Sequence, residues 1–422
     1  MRVGLAYGGG RLDFDLPESA KVSVVEPEYR APCEDPYQEL REALAHPTSG
    51  PPLRERVSRG GKIGIIVNDI TRATPNPVIL SAIVDELGLA EDDRIVLFNA
   101  TGTHRANSAA ELEGMLGPEA FRRFAVVQND ARSEADHALV GRTRSGNDIR
   151  LHRELLDCDL KILTGFIEPH FFAGFSGGGK AVMPGMAALS TILHNHSAAN
   201  MDHPRSSWGV TDGNPVYEEV QEAAAMIDGC FLLNVALNRD KKITAVFSGD
   251  LPQAHREGCA YVRASNMVQV ASPFDVVITG NSGYPLDLNL YQSVKGMSAA
   301  AGITKEGGEI IIAAECWDGI PAHGEFGRLL RQAVSPSALL DRIRSHGFHT
   351  QDMWQAQILA KVVERHRVHF YSDNLTAEQL SSAFLTPCAS IEETVETLQR
   401  ERDERLSICV LPEGPVTVPF FA

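Results

Sequence analysis

His104 and His170 stand where an imidazole can do chemistry, each in a loop rich in glycine or small residues that follows an apolar run. Imidazole titrates near neutral pH, so two such rings flanking a ligand could exchange protons with it from opposite faces. The His170 loop continues through Phe171-Phe172-Ala173-Gly174-Phe175-Ser176-Gly177-Gly178-Gly179-Lys180. Gly174 to Lys180 satisfies the G-x-x-x-x-G-K spacing of a phosphate-cradling loop. However, Ala181 occupies the position where a nucleotide hydrolase needs Ser or Thr for magnesium, and no strand runs directly into Gly174. What survives is glycine backbone N–H groups beside a lysine, a combination suited to an anionic group. Each of these features also admits a plainer reading as a packing histidine or a glycine turn with a solvated lysine.

Other polar clusters repeat the pattern. Asn68-Asp69-Ile70-Thr71-Arg72 follows the apolar run 62–67, and Gly280-Asn281-Ser282-Gly283 follows 275–279, with Tyr291-Gln292-Ser293-Val294-Lys295 soon after. His194-Asn195-His196 suggests a metal, but residues at i and i+2 do not share one helix face, so at most one of the two rings reaches a given ion. Without Cys or carboxylate companions at ligand spacing, a zinc site built wholly by the protein is not expected.

The elements that would position these loops are those of an α/β fold. Short Val/Ile/Leu runs at 62–67, 94–99, 124–128, 160–164, 230–235, 243–247, 275–279, 309–313, 368–371 and 406–411 have the character of buried parallel strands. Helical stretches at 77–87, 108–116, 215–226, 254–263 and 325–333 alternate with them. In such sheets ligands bind in loops beyond the carboxyl ends of strands. The expected architecture is two α/β domains with mostly parallel sheets and a cleft between them. Residues 1–270 would form the cofactor-binding and catalytic domain, and 271–422 a domain closing over the substrate. The first thirty residues suggest a β meander turning at Gly8–Gly10, and the last strand could cross back to the first domain.

The bulk composition narrows the partners. With 39 Lys and Arg against 55 Asp and Glu, the formal charge is −16, so nucleic acid, which binds through clustered cations, is not an expected partner. No run of eighteen apolar residues predicts a membrane span. The seven cysteines are scattered and odd in number, as in a reducing compartment, and the amino terminus carries no apolar secretory core. A cytoplasmic location is expected.

Taken together, Asp69-Ile70-Thr71-Arg72, Gly102-Thr103-His104-Arg105, the segment Pro169 to Lys180, Tyr291-Gln292-x-x-Lys295 and Glu315-Cys316-x-Asp318-Gly319 resemble the signature segments of the lactate racemase family. The resemblance runs over most of the chain. It implies a 2-hydroxyacid racemase or epimerase using nickel held by pyridinium-3,5-bisthiocarboxylic acid mononucleotide, the nickel-pincer nucleotide. By the same resemblance Lys180 forms the covalent thioamide link, Gly177 and Gly178 lie against the cofactor, and His196 is the protein's nickel ligand. A pincer that brings three donors leaves one position for an imidazole. His104 and His170 match the acid/base pair, Arg72 and Lys295 the residues that hold the substrate carboxylate, and Gln292 and Asp69 supporting positions. Trp354 matches an aromatic wall. The implied partners are a small 2-hydroxy acid and the enzymes that mature the cofactor. Gly179 departs from the family, which commonly has Arg there. Two other readings stay open: net oxidation of the hydroxy acid with the same cofactor, and a non-catalytic protein that binds or senses a small acid.

Overall fold

In a computed structural model, the described residues are 1–57, 60–88, 94–402 and 405–421. The chain divides into two compact units, Tyr29–Ala264 and a discontinuous unit of Met1–Glu28 with Ser265–Ala422. Both are α/β with six-stranded, mostly parallel sheets, the fold class that the alternating apolar runs predict.

In the unit Tyr29–Ala264 the strands lie in the order Ile243–Gly249, Cys230–Leu237, Leu160–Phe166, Lys62–Asn68, Arg94–Ala100, Ala125–Gln128. Only the pair Cys230–Leu237 and Ile243–Gly249 is antiparallel. The two central strands are covered on both faces. Every residue of Leu160–Phe166 is buried, as are Ile63 to Val67, which is why these runs are continuously apolar rather than alternating. The first strand in sequence, Lys62–Asn68, has later strands on both sides, so the order reverses between it and Leu160–Phe166. At such a switch point the following loops diverge to opposite faces and leave a crevice. Here those loops carry Asp69–Arg72 and Glu168–Lys180.

Helix ends follow local chemistry. Ser108 and Glu111 form a reciprocal capping box at the start of Ala109–Leu116. Asn214 accepts the N–H groups of Val216 and Tyr217 at the start of Pro215–Ala224. Leu80 and Ile83 of helix Asn76–Leu87 join Ile63, Ile65, Val67 and Leu97 of the sheet in one core. The sequence did not predict the antiparallel hairpin His137–Arg142 with Asp148–His152, nor the tight pairing of Pro169–His170 with Gly174–Phe175.

The second unit's sheet runs Thr386–Pro387, Arg367–Tyr371, Thr304–Ala313, Phe274–Thr279, Ser407–Leu411, Lys21–Val24, all parallel. Arg2–Tyr7 and Gly10–Asp15 form the hairpin expected at the amino terminus, turning at Gly8 with φ 50°. The third strand of the expected meander instead pairs with Ser407–Leu411. For that reason residues 1–28, assigned by sequence to the domain 1–270, group with the carboxyl-terminal residues. The last strands pair with segments numbered below 271: Ser407–Leu411 with Lys21–Val24, and Val418–Phe420 with Met267–Gln269. Val3, Leu5 and Phe14 of the hairpin share a core with Ile278, Ile408 and Val395. Among the described residues no helix is long and apolar enough to cross a membrane.

Candidate active site

The loops at the switch point assemble a charged cluster. His104 Nδ1 lies 2.7 Å from Asp69 Oδ2, and Thr71 Oγ1 donates to Asp69 Oδ1 at 2.6 Å. Burial alone would raise the Asp69 pKa, but His104, Arg72 and Thr71 outweigh it and hold the carboxyl below its ordinary value. Asp69 is therefore an ionised acceptor. His104 donates to it from Nδ1. The His104 loop is held by Asn99, whose Nδ2 donates to Asn107 Oδ1 at 2.9 Å and to Gln128 Oε1 at 3.0 Å. Arg105 braces the other side through two hydrogen bonds to Glu111, 2.8 and 2.7 Å. Arg72, two residues past the middle of the Asp69 turn, lies 3.5 Å from Glu168 Oε1 through Nε. Since Glu168 precedes His170 by two residues, this ion pair joins the His104 cluster to the His170 loop.

Around His170 a second group forms on Phe172. The ring of Phe172 lies 4.6 Å from His170 and 4.9 Å from His196, centroid to centroid, and Lys180 Nζ is 5.5 Å from its centre. The Ala173 N–H donates to His170 Nδ1 at 3.2 Å. Lys180 Nζ lies 3.2 Å from His170 Nε2, at the ring edge away from the Ala173 N–H. His196 is buried, and burial followed by the proximity of Lys180 pushes its pKa down to about 3. Its ring is neutral at physiological pH, the form that ligates metals. Nδ1 bonds Asn195 Oδ1 at 2.9 Å. Among the described residues no group of three or more His, Cys, Asp and Glu is set to hold a metal ion, so His196 would serve a metal that arrives with other donors.

Gly177 and Gly178 have a steric role in placing Lys180. Both have positive φ, 73° and 57°. A Cβ on Gly177 would meet Asn234 Oδ1, and one on Gly178 would meet the His255 ring at 2.6 Å. The Gly178 N–H donates to Asn234 Oδ1 at 2.8 Å, so it is not held out toward a phosphate as the motif suggests. Gly178→Ala is expected to destabilise the chain by roughly 2–4 kcal/mol, from the left-handed backbone and the overpacking together; a denaturant titration checks it. Gly179, where the family commonly has Arg, faces Val220 and Ala224 of the helix Pro215–Ala224, each 3.2 Å from where a Cβ would stand. A larger residue requires that helix to move by a few tenths of an ångström.

His255 supports the same loop, with Nε2 2.9 Å from the Ser176 carbonyl. Burial pushes its pKa down from 6.5 to about 4, opposed by the Ser176 bond and reinforced by Lys180. Below pH 6.5 the unfolded chain takes up a proton that the folded chain excludes, so stability falls as pH drops toward 4. The shift corresponds to about 3 kcal/mol. His255→Gln is expected to lose less stability than the parent by about that amount between these two pH values, measured by chemical unfolding.

The other unit places the remaining sequence candidates on two adjoining helices. Gln292 and Lys295, three apart on Leu290–Ala301, share a helix face and are buried. Trp354, near the start of Met353–Arg365, donates from Nε1 to Tyr291 Oη at 3.0 Å, which locks the indole against the helix that carries Lys295. His194 turns instead to Ser145, 3.3 Å from its hydroxyl, and Arg205 donates to the Asp212 carbonyl at 2.6 Å. Neither is a spare cation for the cluster.

Sequence reasoning missed Phe172, Glu168, Asn195, Asn234 and His255 as site residues. Asn234 had a usable signal: it is a single amide within the buried strand run Cys-Phe-Leu-Leu-Asn-Val-Ala-Leu, and buried amides demand partners. Phe172 and Asn195 had none beyond adjacency to histidines.

Comparison with known proteins gives this arrangement a family. The lactate racemase N-terminal domain matches residues 7–209, and the lactate racemase C-terminal domain matches 269–418. A lactate racemase of Thermoanaerobacterium thermosaccharolyticum is 34% identical over 417 residues, covering 98% of this chain and 97% of that protein. One from Lactiplantibacillus plantarum is 34% identical over 378 residues, 89% of each. The structure of the lactate racemase apoprotein from Thermoanaerobacterium thermosaccharolyticum superposes with a TM-score of 0.91 at 33% identity, covering 99% of this chain and 100% of that one. A Thermotoga maritima protein, 19% identical, shares the fold with a TM-score of 0.72 over 92% of this chain and 98% of its own. With both of its domains matched and near-full-length relatives at one-third identity, the chain belongs to the lactate racemase family and is an isomerase, a racemase.

Proposed function

We propose that the protein inverts the α-carbon of a 2-hydroxy acid by reversible hydride transfer, using a nickel-pincer nucleotide tethered at Lys180. The observation that carries this reading is the grouping of Lys180, His170 and the neutral His196 on one ring, that of Phe172. A primary amine suits an acyl tether, and a single imidazole suits a metal whose other donors come with its ligand. The bound group supplies the acceptor and donor of hydride at the α-carbon, which the protein's own side chains lack.

The chain's residues bind, orient and move the hydroxyl proton. Arg72, held in place by Glu168, pairs with the substrate carboxylate through parallel N–H groups. His104 Nε2 takes the hydroxyl proton, with Asp69 stabilising the imidazolium that forms. His170, whose Nε2 lies beside Lys180, would handle the same proton from the other face. Two imidazoles meet the need to handle that oxygen in both enantiomers. The protein requires the enzymes that mature the cofactor, and the names of its relatives make lactate the first 2-hydroxy acid to assay.

The test uses a single enantiomer deuterated at the α-carbon, in ordinary water. Hydride transfer carries the deuterium into the inverted product. Wash-out into solvent would mean that the α-hydrogen leaves as a proton, and the proposed reaction fails.

A further inference from the structure

His196 is useful to a metal only if its proton sits on Nδ1, and the sequence around it does not say what enforces that. The answer lies one layer out. Asn195 is fully buried, and its Nδ2 donates to Glu219 Oε2 at 2.7 Å and to the Val216 carbonyl at 3.3 Å. With both amide hydrogens directed at oxygen acceptors, the amide cannot turn over, and Oδ1 must face the His196 ring, 2.9 Å from Nδ1. Glu219 is itself held from all sides. Its Oε1 accepts from Thr143 Oγ1 at 3.0 Å and from the Ser145 hydroxyl, and its Oε2 also accepts from Asn147 Nδ2 at 3.1 Å. Thr143, Ser145 and Asn147 lie in the turn of the hairpin His137–Arg142 with Asp148–His152, while Glu219 rides on the helix Pro215–Ala224.

We propose that Glu219 is a positioning residue which, acting through Asn195, fixes the tautomer of His196 so that Nε2 is the nitrogen offered to the metal. The proposal rests on the reading of His196 as the nickel ligand. A carboxylate or carbonyl that accepts directly from a ligating imidazole commonly sets its tautomer and orientation, and losing it weakens metal binding by about 10- to 100-fold. Here an asparagine stands between the two. The proton position is therefore imposed by geometry, and the negative charge of Glu219 is not essential to it. Glu219→Gln should preserve the device. Its carbonyl can keep facing Asn195 and Asn147, because the hydroxyls of Thr143 and Ser145 can accept from the new NH2 group as readily as they donate to the carboxylate. Glu219→Ala removes the acceptor for Asn195, which then can present Nδ2–H to the ring and drive the proton to Nε2.

The tautomer is read directly from long-range proton–nitrogen correlation spectra of the full chain, labelled with nitrogen-15 histidine, before cofactor loading. Wild type and Glu219→Gln should carry the His196 proton on Nδ1, and Glu219→Ala should move it wholly or partly to Nε2. After maturation, the Glu219→Ala chain should keep its covalent adduct yet lose nickel to a chelator at about 10- to 100-fold lower chelator concentration. If Glu219→Ala keeps the proton on Nδ1, or if Glu219→Gln moves it as much as the alanine does, the proposal is overturned. Should Glu219→Ala not fold, Asn195→Leu takes its place: it leaves the carboxylate its other three side-chain donors and removes the acceptor for Nδ1. There too a proton that stays wholly on Nδ1 overturns the relay. His196→Ala separates the underlying reading, since full nickel retention in that variant removes His196 as ligand whatever the tautomer spectra show.

Discussion

Lys180→Ala is expected to abolish racemisation to background while leaving a folded chain. Lys180 stands in a short helical turn whose shape is set by Gly177, Gly178, Asn234 and His255 rather than by its own side chain. Its contacts are the hydrogen bond with His170 and the approach to the Phe172 face, interactions of about 1 kcal/mol each. Stability should fall by about 1–2 kcal/mol at most. Activity should vanish, because the chemistry that the side chains cannot supply goes with the tether. Lys180→Arg sharpens the point: it keeps a cation beside Phe172 but offers no amine for acylation, and it should be as inactive as the alanine variant. Thermal melts and a polarimetric assay of matured protein check both. Substantial turnover by either variant would show that the cofactor needs no covalent link at this residue.

His104→Ala has the second-largest expected effect, a drop of about 10²- to 10⁴-fold in kcat, with adduct and nickel content unchanged. On the proposed mechanism the base is lost and the hydride acceptor remains. Asp69→Asn tests how that base is prepared. Asp69 is ionised and accepts the His104 Nδ1–H at 2.7 Å. An amide in its place can turn its NH2 toward the ring, which moves the ring proton to Nε2 and leaves no base facing substrate. The expected loss approaches that of His104→Ala. An Asp69→Asn enzyme with full kcat would remove Asp69 from the site.

Most of the sheet was legible because the code for a parallel strand covered on both faces is a short unbroken apolar run, and this chain has ten of them at strand positions. The runs at 62–67 and 160–164 also marked the two loops that straddle the switch point. The pairing of Lys21–Val24 with Ser407–Leu411 was not legible: nothing local in a four-residue polar-apolar strand names a partner almost four hundred residues away. The hairpin of residues 137–152 was hidden for a different reason. Its strands are short, and only Asp148–His152 alternates polar and apolar residues, over five positions, too few to mark a strand pair. Within the candidate site, spacing singled out the candidate histidines and Lys180 but not the amides beside them. Asn195 and Asn234 act through buried side-chain hydrogen bonds to residues distant in sequence, and only the fold brings those partners together.

The most direct measurement is intact and peptide mass of protein matured with the cofactor-making enzymes, together with its nickel content. The expected result is an adduct of mononucleotide size on the peptide that contains Lys180, with about one nickel per chain. Fully matured protein that shows no adduct and no nickel would contradict the tethered-cofactor mechanism.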